Sequence, residues 1–308
     1  AMLEEGGRLQ GPELGAAPPP EAPSAAAPDL DSLFHRPVSA VADLELPVTS
    51  LTLLGSCPLR WVFARRLELG TLFRPGGEPW VPSPRADLER AGTGGAAMGT
   101  ALHVILERWD FGAPFAEAFA AACPAAMEPR LAAEARSLLE EFFAPRQPWL
   151  ERLAEASSLR REEPFVYRLG NVLLHGQTDL VCEWRGQRIL MDWKSDRVAG
   201  RDAIERRLSH HRFQILLYSL ALAAAGRPVD QALLVFLRAS EEGGFRQLRL
   251  DDFDLEWAAT RARRMAELAR ELSDLTIEGT GRSLLDGVPV FKDPPCADCP
   301  FRDGPCPK

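Results

Sequence analysis

The sequence predicts an α/β fold in which a mixed central β-sheet is flanked by helices. Three observations support this prediction. Residues 163–193 have the pattern of a three-strand meander, because hydrophobic and polar residues alternate between turn signals. Helical periodicity precedes and follows the meander, and a further strand at 232–237 separates two later helices. The chain has 308 residues, 46% of them hydrophobic, which is enough for one large core or two small ones.

Helices precede the strands. A helical pattern begins at Val48, with Ser50 as the expected N-cap, and further helices are predicted at 97–109 and 128–143. The meander follows, and its three strands are predicted at 163–169, 172–184 and 188–193. The short connections between these strands contain glycine, which favours tight turns.

The second half of the chain alternates helices with strands. A helix is predicted at 210–225 and a strand at 232–237. A hairpin partner for that strand is predicted at 245–250, and a last helix at 255–272. Strands that alternate with long helices along the sequence are typical of a sheet covered by helices.

The first 45 residues differ in composition from the rest. They are rich in Ala, Pro and Gly, with two alanines and three prolines at 16–20, and cannot bury enough apolar surface to order themselves. We predict a flexible linker at 1–45 and a folded domain at 46–308. Because Ala1 precedes Met2, we expect the sequence to be a piece of a longer polypeptide.

Targeting signals are not evident in the sequence. No stretch approaches the roughly 20 apolar residues that a membrane-spanning helix needs. The first residues lack the basic and apolar regions of a secretory signal. We therefore expect a soluble, cytoplasmic protein with no membrane partner.

Two aspartates and a lysine carry the chemistry of the meander. Asp192 and Lys194 are two residues apart on one predicted strand, so their side chains point to the same face, and Asp179 lies on the neighbouring strand. Two close carboxylates repel unless a divalent cation lies between them, and oxygen ligands favour Mg²⁺ or Mn²⁺. A metal held by the two aspartates, together with a lysine that stabilises charge on a phosphate, can hydrolyse a phosphodiester. An Asp-x-Lys sequence on a strand edge is also common without any such role.

From Val48 to Cys306 the chain resembles the RecB-like branch of the PD-(D/E)XK nucleases. Asp179 matches the first acid of that family, and Asp192 and Lys194 match its acid-x-Lys pair, within the string Leu-Met-Asp-Trp-Lys-Ser-Asp at 190–196. The resemblance implies a restriction-endonuclease-like core. It also implies a metal-dependent DNA nuclease in which Asp179 and Asp192 hold the metal.

Further motifs of the same family are present in the expected order. His103, within Gly-Thr-Ala-Leu-His at 99–103, matches a histidine that places its ring against the metal, and Glu107 follows it in a supporting position. Gln214 and Tyr218 match the Gln-x-x-x-Tyr pair and share one helix face, where the family pair lines the site. Glu162 resembles a supporting acid at the start of the meander, although Glu163 is adjacent.

Three cysteines near the end of the chain have metal-ligand spacing. They are Cys296, Cys299 and Cys306, and Cys57 is a candidate for the fourth ligand. RecB-like nucleases of the AddB and AdnB kind have one cysteine before the core and three after it, which hold a [4Fe–4S] cluster. The resemblance implies the same ligand set here, with a Cys₄ structural Zn²⁺ site as the alternative. Two other thiols, at positions 123 and 182, have no partner pattern.

The distribution of charge indicates how the chain binds DNA and whether it needs a partner to do so. A net charge of −8 argues against a chain that grips DNA by itself, because phosphate neutralisation supplies much of such affinity. Positive charge is local, and the arginines predicted to bind DNA are Arg60, Arg65, Arg66, Arg207 and Arg212. Each cluster could equally be a solvated helix surface. The acidic balance indicates that a helicase domain or subunit helps to hold the DNA.

Three functions are compatible with these features. The first is a Mg²⁺- or Mn²⁺-dependent exonuclease that acts on single-strand or duplex DNA ends in recombinational repair. The chain has no Gly-x-x-x-x-Gly-Lys-(Ser/Thr) phosphate loop, so ATP hydrolysis is expected from a partner. The second is a catalytically silent DNA-end binding module of a helicase–nuclease complex. The third is a four-cysteine scaffold for protein assembly.

Overall fold

The computed structural model of the chain describes most of the predicted folded domain. The described residues are 44–67, 95–144, 148–198, 200–239, 244–248, 250–274 and 287–291, together with Cys296, Cys299, Phe301 and Cys306. The predicted linker lies outside the described residues, apart from its last two positions. In the described part of the chain, no helix is long and apolar enough to cross a membrane.

The predicted elements are present in the predicted order, together with a strand at Leu44–Pro47 and helices at Phe115–Ala122 and Pro148–Ala154 that the sequence did not predict. The strands are β1 (Leu44–Pro47), β2 (Ser158–Leu169), β3 (Val172–Trp184), β4 (Gln187–Val198), β5 (Gln231–Ala239) and β6 (Phe245–Leu248). The helices are α1 (Val48–Ser56), α2 (Pro58–Trp61), α3 (Gly95–Glu107), α4 (Phe115–Ala122), α5 (Pro129–Phe143), α6 (Pro148–Ala154), α7 (Arg201–Ala224) and α8 (Asp252–Asp274). A π-helical turn, Val62–Arg66, follows α2 directly.

The six strands form one mixed sheet, which confirms the predicted fold class. The order is β1-β3-β4-β5-β6, and β2 pairs with β3 as well. β1 with β3 and β4 with β5 run parallel, whereas β2–β3, β3–β4 and β5–β6 are antiparallel. The β3–β4 turn is tight because Arg185 and Gly186 both have positive φ, as a two-residue hairpin of this hand requires.

One edge of β3 is left open in its middle. β1 pairs with β3 as far as His175, and β4 pairs with β3 only from Leu180 onward. Residues 176–179 therefore lie between two strands that share the same edge of β3. β3 and β4 diverge at this point, and the resulting fork opens directly beside Asp179 and Asp192.

Helices cover both faces of the sheet. One core lies between the sheet and α1, α7 and α8, and includes Leu51, Leu217 and Phe236. The other core lies between the opposite face and α3, α4 and α5, and includes Leu102 and Leu139. β5 is buried on both faces from Ala232 to Leu237, and β4 from Ile189 to Trp193, as expected for central strands.

Two helix assignments from the sequence are wrong in detail. α7 begins at Arg201 and not at 210, directly after Gly200, whose φ of 77° suits glycine. Ser50 is not the N-cap of α1, since Pro47 occupies that position. The Ser50 hydroxyl is instead buried and accepts a hydrogen bond of 2.8 Å from Trp61 Nε1, which joins α1 to α2.

Candidate active site and the four-cysteine cavity

The fork between β3 and β4 holds the first predicted acid. Asp179 Oδ2 accepts a hydrogen bond of 2.7 Å from the backbone N–H of Trp193 on β4. Its other oxygen, Oδ1, is 3.5 Å from Nδ1 of His103 on α3. The Asp179 carboxylate on β3 therefore contacts both β4, at Trp193, and α3, at His103.

Three side chains converge beside the fork. Ligand atoms of His103, Glu162 and Asp179 all lie within 4.8 Å of one another, the one such group of three His, Cys, Asp or Glu side chains within the described residues. Glu162 is on β2, between the pairs that join Arg161 to Leu180 and residues 163 to 178. Its φ is +48°, an unusual value for a non-glycine residue in a strand. Such strain is typical of functional sites.

Electrostatics at the three side chains fit a cation. Burial, together with the charge of Asp179, raises the pKa of Glu162 to about 7. Burial alone would lower the pKa of His103, but the neighbouring Asp179 outweighs it and the pKa is raised. Both shifts reflect negative charge confined in a half-buried space. A divalent cation bound between these ligand atoms would relieve the repulsion.

Asp192 and Lys194 form a buried ion pair. Lys194 Nζ is 2.6 Å from Asp192 Oδ2, and the side chains are 13% and 2% exposed. Burial raises the pKa of Asp192 even though Lys194 opposes the shift. Burial would lower the pKa of Lys194, but the charges of Asp192 and Asp179 raise it. The ion pair with Lys194 therefore compensates the buried charge of Asp192.

A hydrogen-bonded row holds the lysine. Lys194 Nζ donates to Gln214 Oε1 at 3.1 Å, and Gln214 Nε2 donates to Tyr218 Oη at 2.7 Å. Both residues are on the same face of α7, as the i, i+4 spacing predicts. Burial raises the pKa of Tyr218 well above its usual range, so its hydroxyl stays protonated. The row fixes the direction of the ammonium group from one side.

The supporting acids have different environments. Glu163, adjacent to Glu162, is held by two hydrogen bonds of 2.6 Å from Arg227 and contacts Arg160. It is therefore engaged outside the group of three. Glu107 is exposed one helical turn after His103, and its charge contributes to the raised pKa of Glu162.

The predicted DNA-binding arginines lie on α2, on the π-helical turn and on α7. Arg60 is on α2, where its backbone N–H donates to Cys57 Sγ, and Arg65 and Arg66 lie in the π-helical turn. Arg207 Nε is 3.4 Å from Asp196 Oδ1, beyond Lys194 on β4. Arg212 pairs with Asp254 and stacks over Trp257 at 5.4 Å, so its guanidinium faces α8.

A second charged cluster beside Lys194 was missed by sequence reasoning. His211 Nε2 is 3.0 Å from Asp196 Oδ2, and His211 lies one turn before Gln214 on α7. The hydrogen bond from His211 lowers the pKa of Asp196. Burial lowers the pKa of His211, despite its pairing with Asp196. The i, i+3 spacing of His211 and Gln214 was the available signal, but it predicts only a shared helix face.

The four predicted cluster ligands line one small cavity. Cys57, Cys296, Cys299 and Cys306 all face it, and all four are free and half-buried. Aromatic and aliphatic side chains form the rest of its wall, including Phe63 and Phe301, whose ring centroids are 5.3 Å apart. Thiols from the two ends of the domain thus share one apolar enclosure.

Comparison with known proteins identifies the family of the chain. A model described as the PD-(D/E)XK nuclease superfamily matches residues 45–304, which is most of the chain. The chain therefore belongs to the PD-(D/E)XK nuclease superfamily, a class of metal-dependent nucleases. The fork that positions Asp179, Asp192 and Lys194 lies inside the matched region.

Individual relatives are more distant. The chain is similar to an ATP-dependent helicase/nuclease subunit of Lactobacillus delbrueckii subsp. bulgaricus, with 29% identity over 168 residues. That alignment covers 47% of this chain and 14% of the relative, so the chain spans a small part of that protein's length. The solved structure of SSO0001 aligns over 88% of this chain and 89% of its own, with 15% identity and a TM-score of 0.39.

Proposed function

We propose that this chain is a Mg²⁺- or Mn²⁺-dependent deoxyribonuclease that hydrolyses phosphodiester bonds. The observation that carries the proposal is the fork between β3 and β4. It sets Asp179 beside His103 and holds the carboxylate of Asp192 almost fully buried, with the Lys194 ammonium 2.6 Å from its Oδ2 atom. These are the groups that hydrolysis of a phosphodiester requires.

The metal would be held by His103, Asp179 and Asp192, with Glu162 as a further oxygen donor. A bound divalent cation lowers the pKa of a water molecule and polarises the phosphate. Glu107 adds negative charge at the edge of the same group. The set combines carboxylate oxygens with one imidazole nitrogen, which suits Mg²⁺ or Mn²⁺ better than a thiolate-selective metal.

The protein's own residues supply positioning and charge. Lys194 stays protonated because its acidic neighbours raise its pKa, and it stabilises the charge that develops on the phosphate. Gln214 holds the ammonium group in place and Tyr218 holds Gln214. Removal of Gln214 or of Tyr218 therefore affects the direction of the lysine.

The biological setting is part of the proposal. We infer an exonuclease that acts on DNA ends in recombinational repair, delivered by a helicase domain or subunit. The similarity to a helicase/nuclease subunit supports this inference. The net charge of −8 supports it as well, because local arginines such as Arg60, Arg65 and Arg66 give a short contact with DNA while a partner supplies the rest.

We also propose that the four cysteines bind a [4Fe–4S] cluster. Their common apolar cavity supports a shared group. A structural Zn²⁺ ion held by the same four thiolates is the alternative occupant. Iron and zinc analysis of the purified chain distinguishes the two.

The test is a cleavage assay on the purified chain with linear single-stranded and duplex DNA, in Mg²⁺, Mn²⁺ or EDTA. We expect metal-dependent cleavage that Lys194→Ala reduces by about 10²-fold or more. Arg263→Ala, which removes an exposed cation on α8, is the matched control and leaves cleavage unchanged. Circular dichroism checks that the variants fold, and Asp179→Asn is a second inactive variant.

The silent DNA-end binding module makes the opposite prediction. A folded, cluster-loaded chain would then bind DNA in both metals without cutting it, and Lys194→Ala would have no effect on any rate. Cleavage that appears only when a helicase partner is added would instead support the nuclease. It would mean that the partner must deliver the DNA strand to the site.

A further inference from the structure

A cavity of about 680 Å³ adjoins the candidate active site on its α7 side. It lies between residues 47–49, at the junction of β1 and α1, and the strands β2 and β3. The side chains that matter for its chemistry are Phe165, Val166, His175, Gln177 and Tyr218, and Gly176 forms part of its floor. Its size falls in the range of small-ligand sites.

Two contacts join this cavity to the carboxylates. Tyr218, which lines it, accepts the hydrogen bond from Gln214 that continues to Lys194. Gln177 donates from Nε2 to the backbone oxygen of Glu162 at 2.7 Å. Phe165 is three residues from Glu162 along β2, which is about 10 Å at the rise of a strand. A DNA strand that crosses the metal ligands therefore reaches the cavity within one or two nucleotides.

The floor of the cavity is an aromatic surface. Phe165 and Gly176 face each other across β2 and β3, and a Cβ on Gly176 would lie 2.6 Å from the Phe165 ring. The missing side chain lets the ring lie over the strand. The ring also meets Tyr218 at 5.4 Å with an interplanar angle of 73°. At the rim, Val166 is 71% exposed and His175 is exposed as well.

The side chains that line the cavity indicate which kind of ligand it binds. None of the described residues that line the cavity is acidic, although the chain carries a net charge of −8. Apolar and aromatic groups with a few polar ones suit a flat, uncharged ring with polar edges. A nucleobase is such a group, and stacking on aromatic side chains is the usual means of binding single strands.

We propose that this cavity receives one unpaired nucleobase of the DNA strand whose backbone crosses the candidate active site. The inference rests on the proposed nuclease function and specifies its substrate as a single strand at the point of cutting. A base inside a duplex must first be unpaired and unstacked, at a cost of a few kcal/mol, whereas a base of a single strand can enter directly. A duplex end must therefore be opened before its strand can occupy the cavity.

The experiment measures binding in EDTA, where metal-dependent cleavage cannot occur. Fluorescence anisotropy compares three probes of equal length: a 12-nucleotide oligothymidylate, an abasic 12-mer with the same phosphates, and a blunt duplex. We expect the full chain to bind the oligothymidylate about tenfold more tightly than the abasic strand. In Phe165→Leu and in His175→Ala this ratio falls below about threefold. Phe115→Leu, at a half-buried ring on α4, is the matched control and keeps the full ratio.

The outcomes separate this inference from the nuclease proposal. Equal affinity for the oligothymidylate and the abasic strand overturns the cavity assignment even if the chain cleaves DNA in Mg²⁺. A tenfold ratio that both variants reduce supports the assignment even if no cleavage is found. Preference for the blunt duplex, or a ratio that His175→Ala and Phe165→Leu both leave unchanged, also overturns it. His175 is exposed, so that variant reports on the cavity if Phe165→Leu fails to fold.

Discussion

Glu162 and Glu163 are adjacent on β2 but have different roles. Glu163 faces Arg227 and Arg160, which lower its pKa and hold it ionised. Glu162 faces Asp179 and His103, and burial raises its pKa to about 7. The left-handed backbone at Glu162 accompanies this difference. Glu163 therefore contributes to structure through an ion pair, and Glu162 contributes charge to the candidate metal site.

The raised pKa of Glu162 predicts an effect of pH on stability. Its stabilising protonated form is fully present below the ordinary pKa of about 4.5, and that contribution is lost as the pH rises through about 7. We expect Glu162→Gln to raise the melting temperature of the metal-free chain at pH 8 by a few degrees and to change it little at pH 4.5. The same variant binds Mn²⁺ more weakly, so added Mn²⁺ raises its melting temperature less. Thermal melts at both pH values measure these effects.

Glu163→Gln is the matched control for that prediction. Its carboxylate is stabilised by Arg227, so its loss lowers the melting temperature at pH 8 rather than raising it. This contribution is present above the ordinary pKa and disappears as the pH falls through the lowered value. Equal shifts of the same sign in the two variants would mean that Glu162 is not a destabilised carboxylate.

The row from Lys194 to Tyr218 predicts an order of effects on catalysis. Tyr218→Phe removes one acceptor for Gln214 but leaves the ammonium group and its contact with Gln214 in place. We expect a loss of about fivefold in kcat, corresponding to about 1 kcal/mol for one hydrogen bond. Lys194→Ala removes the charge itself and has a much larger effect. Single-turnover cleavage rates give the comparison, and the reverse order would contradict the assigned roles.

At the scale of elements, periodicity predicted the centre of the sheet well. β3 and its turn to β4 match the sequence pattern because buried side chains alternate along β3 as far as Leu180 and Gly186 supplies a positive φ. β1 was missed because it is four residues long and directly adjoins a helix. The first nine residues of α7 were missed because they are rich in charged side chains and show little apolar periodicity.

The sequence also predicted only some of the residues of the candidate site. The family motifs predicted that Asp179, Asp192 and Lys194 would converge, and the fork between β3 and β4 brings them together. Sequence could not distinguish Glu162 from Glu163, because the choice depends on the positive φ at Glu162 and on Arg227, 64 positions away. It also gave no reason to pair Asp196 with His211, since that contact depends on how α7 packs against β4.

Gly176 provides a prediction about packing between two strands. A Cβ at this position would meet the Phe165 ring at 2.6 Å, so the ring must move out of its contact with Tyr218. We expect Gly176→Ala to destabilise the chain by about 1–3 kcal/mol. Urea unfolding measures the change. Gly112→Ala is the control, because its Cβ would meet only the Asp110 carboxylate at 3.4 Å. Equal stability of the two variants would contradict the packing of Phe165 on Gly176.

At the scale of the whole molecule, the four-cysteine cavity joins parts of the chain that are far apart in sequence. Cys57 follows α1, and the other three cysteines come after α8. A group bound by all four would close a loop of about 240 residues, and cross-links that close long loops remove the most entropy from the unfolded chain. The cavity is distinct from the carboxylate site, which uses none of these thiols.

This separation predicts that stability and catalytic groups respond differently to loss of the cluster. In Cys299→Ala, we expect the anaerobically purified chain to lose the visible absorbance of an iron–sulfur cluster and to be about 5 kcal/mol less stable, the scale for closing a long loop. Cys123→Ala is the control, since that thiol lies near Pro124 and Met127, away from the cavity. Iron and zinc analysis of the two variants and the parent chain identifies the bound metal. An unchanged melting temperature in Cys299→Ala would mean that the four thiols do not join the ends of the domain, whichever metal they bind.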